Sequence, residues 1–292
     1  MNSISQATYC VLNGALVLAA EAMISVQDRG FRYGDGVFES IAVENGVPYQ
    51  YDWHMARLSG GLDAIKIAFD VNGLQAHVHA LLQKNKVMQG MLRIQITRGA
   101  GSRGYLPDPS ARPNFIIETM PKPPLPEKPV SLWRSSYQKM SAEALPVRYK
   151  LCQGLNSTLA RMEAAENNCF DALLLNAQSE IGETGSGHIF WQKNGAIFTP
   201  ALTCGILEGS TRAAIMRLLP VTETSATMET LAQADAVCIA NAAWGALAVN
   251  VLQPENHHWQ SEHFAVQLNT IIREDKKYFH AAHHSEWQMP LE

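Results

Sequence analysis

Residues 183 to 212, ETGSGHIFWQKNGAIFTPALTCGILEGSTR, constrain the fold of this chain more than any other stretch. Two short apolar runs, HIFWQ and AIFTP, flank Asn194-Gly195, the dipeptide that tight hairpin turns select. The chain then passes through Gly205, Gly209, Ser210 and Thr211 into RAAIMRLL, whose apolar spacing is helical. Glycine, two hydroxyls and a helix start make an anion site. The first-turn N–H groups have no intrahelical partner, and the helix dipole favours negative charge there. Taken alone, Ser210 is equally an ordinary N-cap. Glu183 opens the stretch with a carboxylate ahead of four small or polar residues.

The residues before it read as strands and hairpins with two helical segments. Residues 8 to 20 form a hairpin around Asn13-Gly14, and VFESIAVENGVPYQ a second around Asn45-Gly46. Met55, Leu58, Leu62 and Ile65 have helical spacing, which Gly60 and Gly61 interrupt. Asp28-Arg29-Gly30 and Gly34-Asp35-Gly36 are turn chemistry. A helix covers 73 to 88, and strands in MLRIQITRGA and PNFIIETM flank the loop GSRGYLPDPSARP. This is an α+β pattern rather than a βαβ repeat. PKPPLPEKP is stiff and extended, a linker. The expected organisation is a small α+β domain over 1–120, a linker over 121–129 and a larger domain over 130–292. The larger domain should hold strands at VSLWRSS, DALLLNA, AVCIAN and near Val221. Helices are expected at LNSTLARMEAAENN and 211 to 219, a helix or turn around 228 to 234, and a closing helix at HFAVQLNTIIREDKKYFHAA.

Composition excludes several classes of function. A net charge of -4 argues against a nucleic-acid binder that works through a basic face. Cys10, Cys152, Cys169, Cys204 and Cys238 are odd in number, scattered and never in C-x-x-C spacing, which fits a reduced cytoplasmic compartment and no cysteine-held metal. The N-terminus lacks a basic leader region, and no stretch approaches the length of a membrane span. The expectation is a soluble cytoplasmic protein with neither nucleic acid nor membrane as partner. With 292 residues, 47% of them hydrophobic, it has ample material for two cores.

Three residues carry reactive possibilities. Lys150 follows an extended run and precedes a helix, so its side chain can be held rigidly; alone it also reads as a solvated surface lysine. A lysine that forms Schiff bases needs a lowered pKa, and Arg148 is two residues away. Glu183 suits a carboxylate placed behind a heteroaromatic ring. Arg57, in HMARL, suits a bidentate grip on a phosphate.

The order DRGFRYGDGVFES, HMARL, ITRGAGSRGY, a lysine before a helix ending ARMEAA, ETGSGHIF, TPAL and GILEGSTR resembles the fold-type IV pyridoxal-phosphate enzymes over roughly residues 10 to 250. That family includes the branched-chain and D-amino-acid aminotransferases and 4-amino-4-deoxychorismate lyase. The resemblance implies a two-domain α+β / α/β fold of the D-amino-acid aminotransferase type, with pyridoxal 5′-phosphate between the domains. It implies a homodimer whose active sites draw on both subunits. It implies that Lys150 is the Schiff-base lysine, that Glu183 faces the pyridine nitrogen, and that Arg57, Ser210 and Thr211 hold the phosphate. The lyase branch is indicated by Asn241, Gly245 and Val249 in IANAAWGALAV, with Asn241 counted among the cofactor-binding residues. In that branch Arg103 and Tyr105 are candidates for holding a substrate carboxylate. Ser40 stands where lyases place a threonine that aids proton transfer. Two features depart from the lyase pattern: His188 replaces the usual asparagine, and GILEGSTR is closer to the aminotransferase form. The implied activity is conversion of aminodeoxychorismate to p-aminobenzoate and pyruvate, with transamination of D- or branched-chain amino acids as the alternative. A non-catalytic cofactor-binding protein is a third reading.

Overall fold

The computed structural model describes residues 8–287. The first seven residues, on which the expectation of no leader partly rests, and the last five lie outside the described residues. The chain forms two compact units. One comprises the chain up to Lys122, Tyr149–Gln153 and the chain from Phe279 onward; the other comprises Pro123–Arg148 and Gly154–Tyr278. The sequence reading draws one boundary, at the proline run, and leaves Tyr149–Gln153 with the larger domain. That segment belongs to the first unit because its backbone pairs with a strand there, a placement that composition does not signal.

The first unit is an antiparallel sheet with helices. Its elements are β1 (Tyr9–Leu12), β2 (Ala15–Leu18), α1 (Arg29–Tyr33), β3 (Gly36–Glu44), β4 (Val47–Pro48), α2 (Tyr51–Ala64), α3 (Leu74–Asn85), β5 (Gln89–Thr97) and β6 (Asn114–Met120). The strand order is β2-β1-β6-β5-β3-β4. Both Asn-Gly hairpins form as expected, with Asn13, Gly14, Asn45 and Gly46 all at positive φ. The turn chemistry at Asp28-Arg29-Gly30 proves to be the start of the short helix α1. Asp28 Oδ1 caps it by accepting the Gly30 N–H at 2.7 Å, and Gly34 closes it in the left-handed region.

The helix α2 runs unbroken through Gly60 and Gly61, contrary to the expected interruption. Two interior glycines cost about 1 kcal/mol each against alanine. What holds them is close packing: a Cβ on Gly60 would lie 2.8 Å from the Tyr149 ring, and one on Gly61 3.1 Å from Val37. The buried face of α2 carries Met55, Leu58 and Leu62 together with His54 and Arg57. On β3, Val37, Glu39 and Ile41 share the buried face, while Phe38 and Ser40 share the half-exposed one.

The second unit adds β7 (Val130–Arg134), α4 (Leu155–Glu166), β8 (Asp171–Leu175), β9 (Ile181–Thr184), β10 (His188–Lys193), β11 (Ala196–Pro200), α5 (Ser210–Leu218), β12 (Val221–Thr224), α6 (Met228–Ala232), β13 (Ala236–Asn241), β14 (Gly245–Gln253), β15 (His257–His258) and α7 (Glu262–His283), whose last turns fall in the first unit. Its sheet runs β12-β11-β10-β13-β14-β7-β8-β9, with β15 beside β14. It is mixed: β11 with β12, β14 with β7 and β7 with β8 are parallel, and the rest are antiparallel. Both faces are covered, so strands read as continuous apolar runs. Ile189, Trp191, Val237 and Ile239 fill one core. Phe190, Cys238, Ala246 and Ala248 fill another with Phe264, Leu268 and Ile272 of α7, spaced at four-residue steps. The strands β9, β14 and β15 were not expected. Among the described residues no helix is long and apolar enough to cross a membrane, and all five cysteines are free.

Candidate active site

In the first unit, Lys150 is positioned by its own backbone. Its carbonyl accepts the Phe38 N–H at 2.9 Å, the Cys152 N–H donates to Gly36 O at 2.9 Å, and Leu151 bridges to Val37. These bonds extend the edge of β3 by a short antiparallel segment. The Lys150 Nζ then stands 4.5 Å from the centroid of the Phe38 ring. Ser40 lies on the same half-exposed face, two residues and roughly 7 Å further along the strand. Directly across from Ser40 in register is Arg93 of β5, whose guanidinium carbon lies 4.0 Å from the Phe38 centroid. Arg93 was not singled out from sequence, since a single arginine in a strand has no local signature. Burial pushes the neighbouring Cys152 thiol up to about 11, so it is no nucleophile near neutral pH.

The opposite face of β3 holds an ion cluster. Arg57 donates to Glu39 through Nε at 2.6 Å and Nη2 at 2.5 Å, and lies over the Trp53 ring. His54 Nδ1 stands 2.6 Å from Glu39 Oε2, and because a carboxylate only accepts, the imidazole is the donor. Burial alone would raise the Glu39 pKa, but the flanking His54 and Arg57 outweigh it and hold the carboxyl down to about 2. Burial likewise drives the His54 pKa down, against the pull of Glu39. Arg57 is thus buried, charged and aimed by a bidentate carboxylate.

Arg103 and Tyr105 sit on an exposed loop of this unit. Arg29 ties that loop down by donating to the carbonyls of Gly104 and Tyr105 at 2.8 Å each, and the Tyr105 ring packs on Tyr33 at 5.6 Å. Arg103, Arg32 and Tyr33 line a shallow cleft of about 520 Å³.

In the second unit, Glu183 lies on β9 rather than in a loop, with its side chain 12% exposed. Its Oε1 stands 2.6 Å from Lys139 Nζ, and its Oε2 accepts the Leu207 N–H at 3.0 Å. Burial opposes the charge, but Lys139, His188 and the Leu207 N–H outweigh it and hold this carboxyl below the usual range. His188 Nδ1 lies 3.7 Å from Glu183 Oε2. The other edge of the His188 ring presses on Gly209, where a Cβ would fall 1.9 Å from Nε2, so glycine is obligatory there. Gly209, not Ser210, is the N-cap of α5. Ser210 and Thr211 are its first two residues, buried, and no side chain caps the helix start. The first-turn N–H groups and two hydroxyl-bearing residues therefore share one turn. Arg212 anchors the helix from behind by pairing with Glu223 and donating to Pro200 O.

Arg148, the cation offered by sequence for lowering the Lys150 pKa, pairs with Glu208 at 2.6 Å. Asn241 shapes backbone: its Nδ2 donates to Ser186 O at 2.9 Å, and its Oδ1 accepts from the N–H groups of Ala243 and Trp244. Asp171, fully buried, accepts from Thr184 Oγ1 at 2.9 Å and Ser186 Oγ at 2.6 Å, which fixes the turn after Glu183. The sequence reading missed both Asp171 and Lys139, because each acts on Glu183 or its turn from a distant part of the chain.

A family model described as amino-transferase class IV matches residues 36–252. A putative branched-chain-amino-acid aminotransferase of Methanocaldococcus jannaschii is 31% identical over 240 residues, 80% of this chain and 83% of that protein. A D-alanine aminotransferase of Bacillus licheniformis is 29% identical over 241 residues, 78% of this chain and 83% of that protein. The crystal structure of 4-amino-4-deoxychorismate lyase from Pseudomonas aeruginosa is similar with a TM-score of 0.80 at 28% identity, covering 91% of this chain and 98% of that one.

Proposed function

We propose, from the premise that the chain belongs to the class IV aminotransferase family, that it is an aminodeoxychorismate lyase making p-aminobenzoate and pyruvate for folate synthesis. The chain is an enzyme of fold type IV, and its cofactor is pyridoxal 5′-phosphate. The residues fit that group. The uncapped start of α5 with Ser210 and Thr211 suits a phosphate, and Arg57 adds a rigidly aimed guanidinium. Glu183 is an ionised carboxylate suited to a ring nitrogen, and Lys150 supplies the amine for covalent attachment. When bound, the cofactor supplies an electron sink for the carbon that carries the substrate nitrogen. Lys150 takes the proton from that carbon. Arg103 and Tyr105 would meet a substrate carboxylate.

One observation carries the lyase reading: a second proton-bearing group, Ser40, shares the face of β3 with the Phe38 ring that Lys150 overlies. Transamination returns a proton to the cofactor through the lysine alone. A lyase must also protonate the carbon that departs as pyruvate, and in this reading the Ser40 hydroxyl would make that transfer. The second reading, transamination of D- or branched-chain amino acids, is supported by the two relatives described above. The two separate cleanly. A transaminase needs an oxo-acid to complete its cycle, and a lyase does not. Pyruvate is expected to form catalytically from aminodeoxychorismate without an acceptor, and Ser40→Ala is expected to slow it about 10²-fold while leaving bound-cofactor absorbance intact. Acceptor-dependent turnover of D-alanine or a branched-chain acid with no pyruvate from aminodeoxychorismate would overturn the lyase reading.

The working form is proposed to be a cytoplasmic homodimer. Met23, Val26 and Phe31 around α1, with Tyr105 and Leu106 on the loop that Arg29 ties to it, are large apolar side chains, each more than two-thirds exposed. Such a patch marks a protein contact. Sedimentation is expected to give twice the chain mass, with Phe31→Glu shifting it toward monomer; a wild-type monomer at micromolar concentration would refute the dimer.

A further inference from the structure

Lys139 lies in the segment between β7 and α4, where its backbone N–H donates to Leu175 O at 2.8 Å. Its ammonium stands 2.6 Å from Glu183 Oε1, and the side chains of the pair are 11% and 12% exposed. A Cβ on Gly182 would lie 3.0 Å from Leu174 O and in ordinary contact, at 3.5 Å, with two carbons of the Lys139 stem. The groups facing Glu183 from the other elements are the Leu207 N–H at 3.0 Å and the His188 ring at 3.7 Å. The first is a dipole, and the second lies beyond hydrogen-bond reach. Lys139 is therefore the charged side chain nearest Glu183, with the His188 ring next.

Partial withdrawal from water pushes a carboxylate toward taking up a proton, and a cation in contact opposes that. The distinction matters chemically. An ionised carboxylate accepts from a protonated pyridine nitrogen and stabilises that positive ring. A protonated carboxyl can only donate to an unprotonated nitrogen, which leaves a much weaker electron sink. We propose that Lys139 is a positioning residue that keeps Glu183 ionised and oriented, and so holds the proton on the pyridine nitrogen of the bound cofactor. This rests on the assignment of Glu183 to the ring nitrogen, and the two ideas fail differently.

The test uses the enzyme loaded with pyridoxal phosphate labelled with ¹⁵N in the ring, and reads the ring-nitrogen chemical shift against pH. Wild type and Lys139→Arg are expected to show the protonated-ring signal through the neutral range. Lys139→Met is expected to lose it, with kcat lower by ~10- to 100-fold and KM little changed. If Lys139→Met keeps the protonated signal while Glu183→Gln loses it, the role of Lys139 is overturned and that of Glu183 stands. If Glu183→Gln keeps the signal, the assignment of Glu183 itself falls, and the proposal with it. Failure of Lys139→Arg to restore what Lys139→Met loses would also overturn it, since the argument is one of charge. Lys139→Gln retains length and polarity without charge. It replaces Lys139→Met if that variant does not fold, and a protonated signal in Lys139→Gln would again count against the proposal.

Discussion

Lys150→Ala is expected to give a folded protein that no longer binds pyridoxal phosphate covalently and turns over at least about 10³-fold more slowly. The fold should tolerate the change, because residue 150 contributes to β3 through its carbonyl and Leu151 and Cys152 complete the pairing. What disappears is the amine above Phe38, the proposed attachment point and base. Borohydride reduction of the loaded protein followed by peptide mapping reads the first loss, and steady-state kinetics the second. A borohydride-stable adduct on another lysine in the variant would show that the assignment is mistaken. Recovery of slow turnover with an added small amine would support it.

The second large effect is on stability. Glu39→Ala leaves Arg57 and His54 on a buried helix face without their carboxylate, and breaking such a pair costs about 3–5 kcal/mol. Urea denaturation at neutral pH, followed by a probe in the first unit, should show the loss as a lower midpoint. Acid should act on the same group in the wild type. The folded Glu39 pKa of about 2 lies below its ordinary 4.5, so its contribution is fully present above pH 4.5. It is lost as pH falls through the window down to about 2, by roughly 3 kcal/mol in all. The acid-dependent part should be absent in Glu39→Ala. Equal acid sensitivity in the variant and the wild type would assign that instability to other carboxylates.

The pieces of the candidate site differ in how legible they were. Gly209-Ser210-Thr211 before an apolar helix announces a helix start, whose N–H groups are unpaired wherever one occurs. The two Asn-Gly hairpins of the first unit, the hairpin at Asn194-Gly195, and the helices at α3, α4 and α7 follow from turn chemistry and period in the same way. Gly60 and Gly61 misled, because helix propensity is a local quantity and the packing of Tyr149 and Val37 that glycine permits is not. The strand β14 was missed since its GALAVNVLQ run of small residues has weak strand propensity, and only pairing to β13 and β7 holds it. The ion pair that Arg148 makes with Glu208, 60 residues on, was not legible from sequence.

By itself the sequence determined what short-range physics controls: period, turns, helix starts, and the motif order that marks the family. The tertiary structure alone decided which charges meet. It placed Glu39 against Arg57 and His54, Lys139 against Glu183, and Arg93 beside Phe38 and Ser40. The reason is that the environment of a buried ion is set by whatever chain segments the fold brings within a few ångströms. Burial removes the water that would otherwise screen it, so a partner remote in sequence dominates its charge state.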